Sequence, residues 1–285
     1  MEQTRRADRT LSMHDLREID QARRLLDSAR GILILTGAGV SAESGVPTFR
    51  GPDGLWKSHR PEALATPEAF QADPRLVWEW YGWRRERVGA CRPNAAHASI
   101  ARLTLRNADA RLVTQNVDGL HELALEEAVS EGNFPGDSAA RAAPIRLHGS
   151  LFRTRCTGCD NRTSDRHPVE AKSEASLPRC RKCAALLRPD VVWFGEGLDP
   201  EILRQAMERA ETAEVCLVVG TSGLVHPAAS LPLLTRESGG VVVEVNPEST
   251  PLTAIAVSSI RGRAGQILPR LLTVESEPSR NRVVD

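Results

Sequence analysis

Residues 31–42 read Gly31-Ile32-Leu33-Ile34-Leu35-Thr36-Gly37-Ala38-Gly39-Val40-Ser41-Ala42. The first six form a short continuous apolar run, the pattern of a strand covered on both faces. The turn after it fits G-x-G-x-x-[GA]. Its first glycine allows a tight turn, its second lets backbone approach a pyrophosphate, and the small Ala42 allows close packing. Alone, such a match is equally a plain strand-to-helix turn. The usual long helix does not follow, because Gly45, Pro47, Gly51, Pro52 and Gly54 break the chain around Phe49-Arg50. A nucleotide site with a long flexible loop over it fits this better than a dehydrogenase fingerprint.

Similar apolar runs recur at residues 111–114, 145–147, 215–219 and 241–245, and helical stretches at 74–88, 95–105 and 201–210 separate them. Residues 16–30 predict an amphipathic helix with Ile19, Ala22, Leu25 and Leu26 on one face. Alternation of this kind implies an α/β fold: a Rossmann-like parallel sheet with helices on both faces. Two segments break the pattern. Residues 126–143 are rich in Ala, Ser, Gly and Glu and predict a surface loop or frayed helix. Residues 156–183 hold few large apolar side chains, so a metal would have to organise them. The expected layout is one catalytic domain over 16–273, with a small zinc module at about 151–190 inserted and flexible tails at 1–15 and 274–285.

The 285 residues are 41% hydrophobic and 26% charged, ordinary for a globular protein. The longest apolar runs stop well short of the roughly 18 residues a membrane span needs. Thirty-seven basic residues balance thirty-seven acidic ones, which removes any long-range pull toward nucleic acid. Neither nucleic acid nor a membrane is expected as a partner. The basic charge is almost all arginine, with only Lys57, Lys172 and Lys182 as lysines. Residues 1–15 mix arginines with Glu2, Asp8 and Asp15 and contain no apolar core of a secretory signal. A cytoplasmic, reducing location is therefore expected.

Of six cysteines, Cys216 lies inside an apolar run and reads as a small buried hydrophobe, while Cys91 carries no assigned role. Cys156, Cys159, Cys180 and Cys183 form C-x₂-C-x₂₀-C-x₂-C. Four soft ligands in two knuckles suit one structural, tetrahedral Zn²⁺. A redox reading needs a C-x-x-C at a helix start after a strand, which neither pair offers.

Polar clusters follow four of the strands: Thr114-Gln115-Asn116-Val117-Asp118, His148-Gly149-Ser150, Gly220-Thr221-Ser222 and Asn246-Pro247-Glu248. Ligands of open α/β sheets bind outside the carboxyl ends of the strands, so all four converge on one crevice. Singly, Asn116 and Asp118 are also plausible helix caps, and His148 a turn histidine. Taken with the glycine turn, the crevice is the better account.

These residues, with Thr48-Phe49-Arg50 and the four cysteines, resemble the sirtuin family of NAD-dependent protein deacylases over about residues 20–270. The stretch Ala65-Thr66-Pro67 and Tyr81-Gly82-Trp83-Arg84 is similar to the branch that removes acidic acyl groups, such as succinyl and malonyl, from lysine. Residues 126–143 depart from the family pattern by lengthening a connection that is normally short.

The resemblance implies that NAD is consumed as a co-substrate, with its phosphates near Gly37, Ala38, Gly39, Ser41, Gly220, Thr221 and Ser222. Asn246, Pro247, Glu248 and Ala264 would lie on its adenosine side. Gln115, Asn116, Val117 and Asp118 would hold the nicotinamide and its ribose, with Phe49 and Arg50 on the loop above. His148 would be the general base, a role that suits an imidazole near neutrality. Acylated lysine in a protein or peptide is the implied partner, and nicotinamide and O-acyl-ADP-ribose the products. Val192, Phe194, Gly195 and Glu196 resemble the edge that pairs with substrate backbone by β-augmentation. Ala65, Tyr81 and Arg84 would form the acyl pocket: Tyr81 and Arg84 share a helix face, and Ala65 leaves room. The charges beyond it, Arg85-Glu86-Arg87, read as a solvated run. Competing readings are a deacetylase or mono-ADP-ribosyltransferase on the same fold, and a zinc-ribbon module that senses NAD without chemistry. A silent sensor would have no need of His148 as a base.

Overall fold

The computed structural model describes residues 12–46, 64–132, 134–135, 137–164, 166, 169 and 171–272. The first helix, α1 (Met13–Ser28), starts earlier than its apolar periodicity predicts. Ser12 caps it, accepting from Asp15 N, while the Asp15 carboxylate accepts from Ser12 N at 2.9 Å. This reciprocal capping box satisfies two otherwise orphaned N–H groups, so residues 12–15 are not tail.

The large sheet contains β1 (Ile32–Thr36), β2 (Ala110–Thr114), β3 (Ile145–Arg146), β7 (Val215–Val219), β8 (Val241–Val245) and β9 (Ser258–Ile260). Its order is β3-β2-β1-β7-β8-β9, every pairing parallel. Numbered within this sheet alone, the order is 3-2-1-4-5-6, that of doubly wound dinucleotide-binding proteins. One face packs on α1, α4 (Ala95–Arg106) and α9 (Ala264–Leu272) through Ile19, Ile100 and Ile267. The other packs on α7 (Pro200–Thr212) and α8 (Leu231–Glu237) through Ala206, Ala210 and Leu231. Among the described residues no helix is long and apolar enough to cross a membrane.

Of the two readings of residues 126–143, the helical one fits the described residues. The helix α5 (Leu120–Glu131) runs into them, and α6 (Ser138–Ala142) follows. Ala124, Ala128 and Ala142 pack against Ala101 and Leu105 of α4. Alanine combines the best helix propensity with close approach, so large apolar side chains are not needed to anchor these helices.

Between β3 and β7 the chain builds a smaller layer. Its antiparallel sheet runs β5-β4-β6, with β4 (Gly149–Cys156), β5 (Arg162–Ser164) and β6 (Leu187–Val191). Two helices cover it, α2 (Pro67–Ala72) and α3 (Pro74–Gly89), around a cluster containing Trp78, Tyr81, Leu151, Phe152 and Trp193. Arg85 corrects the reading of a solvated charge run: it is 2% exposed. Its Nε donates to Leu151 O at 2.5 Å and its Nη2 to Arg153 O at 3.1 Å. The β4–β6 register shifts between Ser150 and Thr154. Within that shift the Leu151 and Arg153 carbonyls accept from Arg85. Glu86 and Arg87 are exposed as expected.

Candidate active site

The crevice lies where strand order reverses, between β1 and β7. Here two turns interlock backbone to backbone. Gly37 N donates to Val219 O at 3.1 Å and Gly39 N to Gly220 O at 2.8 Å. A Cβ on Gly39 would lie 2.7 Å from Gly220 O, and one on Gly220 (φ +59°) 2.5 Å from Val40 N. Glycine is therefore required at both positions by contact, and at Gly220 also by its left-handed conformation. After the turn the chain forms a short 3₁₀ segment, Ala38–Ser44, in place of a long helix.

Ser41 is the hub beneath this turn. It donates to Asp118 Oδ2 at 2.7 Å and accepts from Asn116 Nδ2 at 3.1 Å, while Asn116 Nδ2 also reaches Gly37 O. Asp118 Oδ1 accepts from Leu120 N at 2.9 Å. Burial pushes the Asp118 carboxyl up, and the bonds from Leu120 N and Ser41 oppose it. Gln115 Nε2 donates to Thr221 Oγ1 at 3.0 Å, and Asn246 Nδ2 to Thr221 O at 2.7 Å. Side-chain bonds thus join the loops after β1, β2, β7 and β8 into one frame. Ala264, buried at the start of α9, belongs to it through Gly265 N, which donates to Glu43 Oε2 at 2.7 Å.

His148 sits where the chain leaves the large sheet for the smaller one. Gly149 follows at φ +81°, and a Cβ there would lie 2.1 Å from Asp190 O. His148 Nδ1 is 3.0 Å from Gln115 O. Burial lowers the pKa of the ring, against a raising influence from this bond. A half-buried, neutral imidazole with one nitrogen fixed is equipped to take a proton.

The cavity beside this frame is lined by Ala38, Val46, Trp83, Arg84, Val88, Asn116, Val117, Asp118 and Leu151, with Arg87 at its edge. Arg84 is 5% exposed, and its guanidinium carbon lies 4.7 Å from the Trp80 ring centroid and 5.3 Å from that of Tyr81. Burial is the main influence on both, lowering the Arg84 pKa and raising that of Tyr81. Tyr81 OH accepts from Trp193 Nε1 at 2.9 Å. Ala65 is buried, and its carbonyl accepts from Phe194 N at 2.9 Å.

Residues 193–196 turn where the chain leaves β6. Gly195 has φ +85° and Glu196 N donates to Trp193 O at 3.0 Å, which closes a turn. The N–H groups of Val192, Trp193 and Phe194 donate to His148 O, Glu196 Oε2 and Ala65 O. Phe194 is 54% exposed, whereas the Glu196 carboxylate turns inward to Arg188 and Arg155.

The four cysteines of the C-x₂-C pairs converge. Their sulfurs lie within 4.8 Å of one another, with separations of 3.3, 3.6 and 3.7 Å, and all four thiols are free. Zinc–sulfur bonds of about 2.3 Å in a tetrahedron place sulfurs roughly 3.8 Å apart. Gly158 N and Lys182 N donate to Cys156 Sγ and Cys180 Sγ, bonds that support thiolate charge. The donor set fits one structural zinc ion.

A Sir2 family model matches residues 37–227, from the glycine turn to the loop after β7. The NAD-dependent protein deacylase 1 of Archaeoglobus fulgidus is 50% identical over 242 residues, 85% of this chain and 91% of that protein. The NAD-dependent protein deacylase 2 of Pyrobaculum aerophilum is 50% identical over 248 residues, 87% and 92% of the two chains. The chain belongs to the Sir2 family. Among solved structures, a Sir2 homolog–NAD complex superposes with a TM-score of 0.78 at 46% identity, covering 89% of this chain and 92% of that one.

Membership in the Sir2 family accounts for the convergence of all four strand-end clusters. Phe49 and Arg50 lie outside the described residues. Two histidines escaped the sequence reading. His97 Nε2 is 3.3 Å from Ser41 Oγ, and His121 Nε2 is 3.0 Å from Thr36 Oγ1, with the two rings 4.7 Å apart. The only local signal was the capping pattern Asn94-x-x-His97, in which His97 Nδ1 accepts from Asn94 N.

Proposed function

We propose that this Sir2 protein is an NAD-dependent protein-lysine deacylase that prefers acidic acyl groups such as succinyl and malonyl. Its 48–50% identity to three deacylases over most of their length supports the general reaction. The buried Arg84 guanidinium, lining the same cavity as Asn116 and Asp118, carries the acidic preference. A planar guanidinium away from bulk water favours a carboxylate over an acetyl methyl. Tyr81, fully buried behind Arg84 and accepting from Trp193, packs the guanidinium from the side away from the cavity lining.

Bound NAD supplies the ADP-ribosyl group that takes the acyl chain as nicotinamide leaves. In this reading the turns holding Gly37, Ala38, Gly39 and Ser41, and Gly220, Thr221 and Ser222, border the phosphates. Asn246, Pro247, Glu248 and Ala264 border the adenosine, and Asn116 and Asp118 orient the nicotinamide ribose. His148 withdraws the proton of a ribose hydroxyl through Nε2. One water is consumed as the acyl carbon–nitrogen bond breaks, and free lysine, nicotinamide and O-acyl-ADP-ribose leave. The four free thiols in a zinc-binding arrangement support a reducing, cytoplasmic location.

One assay tests the whole reading. Nicotinamide release is measured with NAD and peptides carrying acetyl, malonyl, succinyl or glutaryl lysine. Faster release on the acidic acyl groups is expected. Equal turnover would reduce the assignment to a general deacylase, and no acyl-dependent release would remove the enzyme reading altogether.

A further inference from the structure

Glu196 and Arg188 hold one another in a geometry that no step of the reaction requires. Arg188, on β6, donates from Nη1 to Glu196 Oε1 at 2.5 Å and from Nη2 to Oε2 at 2.9 Å, a fork-to-carboxylate pair. Arg155, on β4, adds a third bond to Oε1 at 2.7 Å. The same carboxylate accepts from Trp193 N at 2.9 Å, across the turn closed by Glu196 N and Trp193 O. Arg188 Nη2 also reaches Val191 O at 3.0 Å, and its guanidinium carbon stacks 3.2 Å from the Trp193 ring centroid. Side-chain exposures are 8% for Arg188 and 18% for Glu196. The pair therefore grips both ends of the turn and one face of the indole.

What the indole does next gives the grip its consequence. The Trp193 ring packs 5.5 Å from Phe70 and donates from Nε1 to Tyr81 OH. Beside it, Phe194 N is bonded to Ala65 O. A continuous chain of direct contacts thus runs Arg155–Glu196–Arg188–Trp193–Tyr81, and Tyr81 lies beside Arg84. We propose that Arg188 and Glu196, braced by Arg155, form a clasp that sets the acyl-peptide-facing turn 193–196 and, through Trp193, the position of Tyr81. They are positioning residues: the Glu196 carboxylate is turned inward and serves the turn instead of the substrate. The proposal rests on the reading that residues 192–196 and Tyr81 meet the acylated peptide.

The clasp sits on the peptide side of the site, and among the described residues none of its bonds reaches the loops that join into the NAD frame. Loosening it should consequently separate the two substrates. Glu196→Gln keeps the shape and one acceptor but loses the charge, and Arg188→Lys keeps the charge but loses the fork and the stacking. Each variant is expected to raise KM for acyl-lysine peptide roughly 10- to 100-fold, the scale on which misplacement of about 1 Å acts. KM for NAD should stay within about twofold. The double variant should be no worse than the poorer single one, because both break the same unit.

Steady-state kinetics varying peptide and NAD separately, with Tm measured alongside, decides the matter. If Glu196→Gln weakens peptide use while Arg188→Lys does not, Glu196 touches substrate directly and the clasp is wrong. Parallel losses on NAD and peptide together with a large fall in Tm would mean general unfolding, and would also overturn it. Absence of acyl-dependent activity in the unaltered enzyme would defeat the functional reading itself, an outcome distinct from either variant result.

Discussion

His148 Nδ1 lies 3.0 Å from the backbone carbonyl oxygen of Gln115. A carbonyl only accepts, so Nδ1 carries the proton and Nε2 keeps the lone pair. The same carbonyl belongs to the loop that presents Asn116 and Asp118, so the proposed base and the loop proposed to bind the ribose are held in one register.

Burial lowers the His148 pKa from its ordinary 6.5. Protonation removes the base, so kcat/KM should fall as pH drops, with its acid limb below about 6.5. His148→Ala should leave NAD binding within a few-fold and cut turnover by roughly 100-fold or more. A pH–rate profile and NAD titration of the variant check both, and surviving turnover would assign the base to another group.

Much of this was legible in the chain because it depends on local pattern. Apolar runs such as 215–219 mark strands buried on both faces, and two C-x₂-C knuckles announce their metal by spacing alone. Other features depend on what the fold brings near. Arg85 is buried against the Leu151 and Arg153 carbonyls within the β4–β6 register shift, which no helical periodicity reports. The 193–196 turn depends on Gly195 at φ +85° and on Arg188 and Arg155 reaching Glu196. His97 meets Ser41 across 56 positions of sequence. Alanine-rich α5 and α6 left loop and frayed helix both open, because small residues carry little hydrophobic pattern.

One zinc ion per chain is expected by elemental analysis. The ribbon between β4 and β6 has few large apolar side chains, so the metal supplies much of its folding free energy. Cys180→Ser, or a strong chelator, should lower Tm and solubility along with activity. A fully stable, fully active Cys180→Ser protein would show that the cluster is not a structural clip.

His97 links the crevice to acid stability. Its ring is buried, with Nδ1 accepting from Asn94 N and Nε2 beside Ser41, and burial pushes its pKa down to about 4. Above pH 6.5 the folded and unfolded forms are both neutral and the contribution is intact. As pH falls from about 6.5 to about 4 the unfolded chain protonates first, and up to about 3 kcal/mol is lost. His121, also held down by burial, acts in the same sense, while Asp118, pushed up by burial, opposes it. Denaturant unfolding at pH 7.5 and 4.5 should show a smaller difference for His97→Gln than for the unaltered protein. An identical difference would remove His97 from the account.

The acyl preference turns on Arg84. Its guanidinium is 5% exposed, stacked near Trp80 and Tyr81, and lines the cavity that holds Asn116 and Asp118. A structural role would have it serve only those rings and the Asp118 charge, and its loss would then weaken every substrate alike. A recognition role adds a charge-assisted bond to the distal carboxylate of the acyl chain, which contributes about 1.5–3 kcal/mol. Because about 1.4 kcal/mol is tenfold in rate, Arg84→Met should lower kcat/KM for succinyl or malonyl lysine by roughly 10- to 150-fold. Methionine keeps much of the buried volume, so acetyl lysine, which has no distal carboxylate, should lose far less. Competition between succinyl and acetyl peptides in one reaction reads the ratio directly, independent of how much active enzyme each preparation contains. An unchanged ratio would make Arg84 a structural cation and return the protein to a general lysine deacylase.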